Sequence, residues 1–212
     1  MAVHHPATIL PSKLELLQAW VPLQAWASGA DTSTLRRLGS YRFDDPDGEV
    51  GMETHLLGTA DGQVLQVPLT YRGAPSPSAA ASLVTTMTHT TLGDRWVYDA
   101  RHDPVYLTAL ALTITTGGRE ADLFEATAQG LVLEPGTTHV RGCGTSPAGG
   151  GSDWSRAAVD VEGTTTRVRA AGDVLTLLHA PTDRTLGSAL QLTGTWPGQD
   201  VPLVLATLAR TT

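Results

Sequence analysis

Apolar residues near the start of the chain recur at helical spacing, and from Arg36 onward they recur at strand spacing. Leu14, Leu17, Val21 and Leu23 gather near one face of a helix. Ser12 with Glu15 three residues later is the sequence of a capping box, in which each residue satisfies the other's backbone N–H. Pro22 lacks the donor a continuing helix needs. The pattern therefore predicts a helix over residues 12–20 and a short turn through Trp26, with Trp20 and Trp26 covering the sheet that follows. Three β-rich runs come next, RRLGSYRF, EVGMETHLLGT and QVLQVPLTYR, separated by DDPDG and ADG. Asp-Gly turns between such runs are hairpin signals, so three antiparallel strands are expected.

The small-residue segment PSPSAAASLVTT leads into residues 89–106, HTTLGDRWVYDARHDPVY, which read as one connecting region dense in planar and charged groups. Asp103-Pro104 is a helix start, with Asp as N-cap and Pro at the first helical position. Val105, Leu107, Leu110 and Ile114 form the expected buried stripe, and Gly117-Gly118 ends the helix. Beyond Arg119 the chain reads as all-β, broken by a linker at residues 143–152. Weak alternation in several of these later runs points either to strands buried on both faces or to element boundaries that differ from those runs. Gly149 to Gly151 are a linker composition and not a phosphate cradle, since no Lys-Ser/Thr pair follows them. The expected class is α+β, with residues 1–125 as one unit and residues 126–212 as a β-rich extension that shares its core or stands beside it.

Composition narrows the function classes. With 212 residues, 41% hydrophobic and 17% charged, the chain can bury a genuine core. A net charge of −7 argues against nucleic-acid and anionic-membrane partners, because phosphate binding needs clustered cations. Lys13 is the only lysine, so chemistry that needs a buried lysine has one candidate, near a terminus. The single cysteine, Cys143, excludes an internal disulfide and a multi-cysteine metal site. The opening residues lack a basic region followed by an apolar run, and no stretch is long enough to span a bilayer, so a cytoplasmic protein is expected. His4-His5 reads as a disordered terminus.

The candidate chemistry lies in the aromatic-charged stretch. Arg95, Trp96, Asp99, Arg101, His102 and Tyr106, joined by Arg119, could form a sugar or partner surface, since aromatic faces stack on sugars while Arg and Asp bind hydroxyls. The same residues could instead form a clasp of Arg–Asp pairs anchored by Trp96, and the capping role of Asp103 favours that reading. His89 and His102 with Asp94 or Asp99 match no zinc spacing, so no metal is expected. No Gly-x-Ser-x-Gly elbow is present to activate a serine.

The segments LPSKLELLQAWVPLQAW, VLQVPLTYR, LGDRWVYDARHDPVY and ITTGGREADL together resemble the maltokinase N-terminal cap-like family of actinobacteria. The resemblance covers about the first 125 residues and implies a cystatin-like cap, a curved antiparallel sheet with helices, of the kind that precedes the lobes of aminoglycoside-phosphotransferase-like sugar kinases. Those lobes carry a His-Gly-Asp catalytic loop, and here no histidine is followed by Gly-Asp. His102-Asp103-Pro104 and His179-Ala180-Pro181 are the nearest approaches, and neither supplies the spaced magnesium ligands of phosphoryl transfer. The resemblance thus transfers no catalytic residue and no cofactor. It implies a non-catalytic binding or regulatory module linked to sugar, glucan or trehalose metabolism, its partner a separately encoded sugar kinase or glycan enzyme. The competing expectation is a small-molecule (sugar) binding protein or enzyme whose pocket is floored by Trp96 and bordered by Arg95 and Arg119.

Overall fold

A computed structural model describes residues 2–4, 8–127, 130–147, 151–184, 187 and 189–210. His5 and Gly149 and Gly150 of the glycine linker lie outside the described residues. The fold is α+β: the described residues form two α-helices and three sheets, antiparallel except for one parallel pair.

The first helix, α1 (Lys13–Trp20), starts as expected, with Ser12 Oγ accepting from Glu15 N–H and Glu15 Oε2 accepting from Ser12 N–H at 2.8 Å. Two 3-10 turns, Val21–Leu23 and Ala25–Ala27, carry the chain past Pro22 and bury Trp26. The second helix, α2 (Pro104–Thr116), is capped by Asp103, whose side chain accepts from Val105 N–H. It ends at Gly117, in the left-handed conformation (φ 69°) that glycine adopts without strain.

One six-stranded sheet contains β2 (Ile9–Leu10), β3 (Arg36–Phe43), β4 (Val50–Gly58), β5 (Val64–Arg72), β6 (Leu83–His89) and β7 (Gly93–Asp99), in the order β2-β6-β7-β5-β4-β3. The three hairpin strands fall where the Asp-Gly turns place them. Residues 89–106 do not form the single connecting region expected. They contain the end of β6, a turn at Gly93 (φ 73°), all of β7 and the start of α2. Met87 and Val97 of this hairpin are buried in the cluster beneath α1, and the charged and aromatic residues between them hid that in the sequence.

A second six-stranded sheet contains β10 (His139–Gly142), β11 (Ala158–Glu162), β12 (Thr165–Ala170), β13 (Asp173–Thr182), β14 (Leu190–Trp196) and β15 (Gln199–Arg210). Its order is β10-β14-β15-β13-β12-β11. A three-stranded sheet joins β1 (Ala2–His4) in parallel to β8 (Leu123–Thr127), which pairs in turn with β9 (Gly130–Glu134).

The first sheet is covered on both faces, so β4 is buried at every position from Met52 to Gly58. One face carries Leu57, Leu65, Val67 and Leu69 under α1, Trp26 and Leu35. The other carries Tyr41, Met52 and Leu56, packed with α2 and with Val168, Leu175, Leu192 and Leu205 of the second sheet. The larger apolar cluster therefore draws on residues on both sides of position 126.

Candidate functional site

The residues singled out in the sequence separate into different environments. Asp99 and Arg101 are buried against each other, with Arg101 Nε 2.9 Å from Asp99 Oδ1. Asp99 also caps the 3-10 turn Ala100–His102 by accepting from Arg101 N–H. Arg101 Nη1 then donates to Thr166 Oγ1 on β12 at 3.1 Å, and that hydroxyl lies 2.9 Å from His179 Nε2 on β13. Because the Gln66 carbonyl can only accept, His179 Nδ1 carries the proton and donates to it at 3.0 Å, and the neutral ring's Nε2 accepts from the Thr166 hydroxyl. His179 is thus a neutral imidazole with both nitrogens used, and burial, helped by the Arg101 charge, pushes its pKa down to about 3.

Gln66 completes the clasp. Its amide donates to the carbonyls of Leu178 and Leu205, and its oxygen accepts from Tyr41 O–H at 2.8 Å. Strand β5 pairs with β7 only over Leu69 to Arg72, and His179 from the second sheet meets the stretch of β5 that β7 has left. Trp26 stacks on His179 at 4.0 Å and 11°, with the Arg101 guanidinium 5.6 Å from its ring centre. Arg101 and Asp99 therefore join two sheets inside the protein.

The other sequence candidates are dispersed. Tyr106 is fully buried, its hydroxyl 3.0 Å from Thr54 Oγ1. His102 is exposed. Asp103 holds Arg72 through both carboxylate oxygens at 2.8 and 2.9 Å while capping α2. Trp96, expected as anchor or pocket floor, is half-buried on β7 and belongs to neither apolar cluster; Trp26 holds the central position instead. Arg95 lines a cavity of about 510 Å³ and Arg119 a separate one of about 640 Å³, and Trp96 lines neither. Arg119 is exposed and paired with Asp122 at 2.8 Å.

Sequence reasoning missed the polar cluster at the first cavity. Glu53 on β4 is 2% exposed, and one of its oxygens receives both Lys13 Nζ at 2.5 Å and Arg42 Nη2 at 2.7 Å. Burial opposes its ionisation, but Arg42 and Lys13 outweigh that and hold the carboxyl well below the usual range. His55, two residues along and on the same face, lies 3.9 Å from the other oxygen and places Nε2 3.0 Å from Tyr71 O–H. Its Nδ1 is buried with no hydrogen-bond partner, and burial pushes the ring's pKa down to about 4. Only spacing two apart on a strand hinted that Glu53 and His55 share a face. Nothing local brings Lys13 and Arg42 to them.

Among the described residues no group of three or more His, Cys, Asp or Glu is placed to hold a metal. None of their helices is long and apolar enough to cross a membrane.

Residues 20–103 match the family model described as the maltokinase N-terminal cap domain. The matched segment runs from the last residue of α1 to the N-cap of α2 and takes in strands β3 to β7, a narrower span than the first 125 residues. No curated protein matches the chain.

Proposed function

We propose that this chain is a non-catalytic cap-like module that binds or regulates a separately encoded sugar kinase or glycan enzyme in the cytoplasm. The observation that carries the reading is the match of residues 20–103 to a domain named for its place at the N-terminus of maltokinases. Two features support it. The sequence has no His-Gly-Asp loop. Asp99, Arg101 and Asp103 of the matched segment are committed to internal pairs, so this charged stretch is used in holding the fold together.

The test has two arms. Incubating the chain with ATP, magnesium and maltose should give no phosphate transfer; transfer by the chain alone would end the non-catalytic reading. Immobilised chain should retain a sugar kinase or glycan enzyme from the source lysate, and adding the chain to that purified enzyme should change its kcat/KM. A retained enzyme whose kinetics do not respond would count against regulation.

A further inference from the structure

The cavity of about 510 Å³ opens between α1, the turn joining β3 to β4, and the turn joining β6 to β7. Its charges are unevenly placed. Lys13 and Arg42 form one side, both about a quarter exposed, and they share a single carboxylate between them. The two cations outnumber Glu53 on that side, although Asp44, Asp45 and Glu49 balance the lining as a whole, and N–H donors stay unused on both side chains. Arg95 stands on another wall, and its guanidinium donates to the carbonyl of Asp94 at 3.3 Å. Its Nη1 lies 2.9 Å from where a Cβ on Gly73 would stand, so the missing side chain at Gly73 lets the guanidinium fold down over the cavity.

The acids that line the cavity, Asp44, Asp45 and Glu49, sit together in the β3–β4 turn. Asp45 is used there: its oxygens accept from the N–H groups of Asp47, Glu49 and Val50. Ile9, Met87, Leu92 and the ring of Tyr71 supply apolar wall between the two charged ends.

We propose that this cavity binds a small molecule bearing an oxyanion, a carboxylate or phosphate ester, held between Lys13 and Arg42 on one side and Arg95 on the other. Charge-assisted bonds from a forked guanidinium are the strong contacts in such a site, and a partly desolvated setting increases them. Hydrogen-bond donors elsewhere on the ligand would face the acidic turn. Every group named in the site belongs to this chain.

Inorganic phosphate is the probe. Calorimetric titration into the full chain at constant ionic strength, held with sodium chloride, should show saturable binding. Arg95→Gln, which touches no part of the Glu53 cluster, should weaken it about tenfold, the worth of one charged hydrogen bond. Arg167→Gln on the second sheet, where the arginine pairs with Glu162, should leave it unchanged. Circular dichroism should give both variants the spectrum of the parent chain. Absence of saturable binding, equal weakening by both variants, or undiminished binding in Arg95→Gln would overturn the proposal.

Discussion

Trp26→Ala is the substitution that separates a structural core from the aromatic stretch that drew attention in the sequence. Trp26 is 1% exposed, stacks on His179, and meets Trp20 edge-on at 6.1 Å. Removing a buried ring of about 200 Å² at about 25 cal/mol per Å² costs about 5 kcal/mol. Loss of the stack on His179 adds about 1 kcal/mol. Against this, the indole N–H of Trp26 is buried without a partner, and deleting it returns about 1–3 kcal/mol. The net expectation is about 4 kcal/mol, within the range of about 3–5 kcal/mol for large-to-small changes at such sites. For a chain of this length that lowers the melting temperature by roughly 8–16 °C. Half-buried Trp96→Ala should cost clearly less. Urea unfolding followed by circular dichroism at pH 7 gives both values. If Trp96→Ala proved as costly as Trp26→Ala, the assignment of the core to Trp26 would be wrong.

Two further outcomes follow from the buried histidines and the shared core. The folded pKa values of His55 and His179 are depressed to about 4 and about 3 from 6.5, so below pH 6.5 the unfolded chain binds protons that the folded chain refuses. The stability they contribute is complete above that pH and is lost as pH falls, at up to about 1.4 kcal/mol per pH unit for each ring. Unfolding free energies between pH 7 and 5 should show this slope, and His55→Gln should flatten it; a level profile would contradict neutral burial. We also expect residues 1–125 expressed alone to lack a cooperative thermal transition, because they lose Val168, Leu175, Leu192 and Leu205 from the core. A sharp calorimetric peak from that fragment would establish an independent front domain.

Local signals were legible in the sequence. The Ser12–Glu15 box, the Asp103-Pro104 start and the Gly117 stop each need only a few neighbouring residues, and each is present. The Asp-Gly hairpins are equally local. The β6–β7 hairpin was obscured because its buried positions, Met87 and Val97, are separated by a charged turn that imitates a loop. The Arg101–Thr166–His179–Gln66 chain spans more than a hundred positions, and no pattern in a short window reports it. The Glu53 cluster was missed for the same reason, since Lys13 was judged by its nearness to a terminus and not by the strand it lies upon.

The gap along β5 has a consequence for any protein that carries the matched segment in other company. Where β7 departs, the Gln66 carbonyl and amide and the apolar surface around Leu56 are sealed here by residues from the second sheet. A chain built from the first sheet without that cover would expose a strand margin and a greasy face to solvent. It must recruit a substitute, and whatever domain or subunit does so will be found seated on that side.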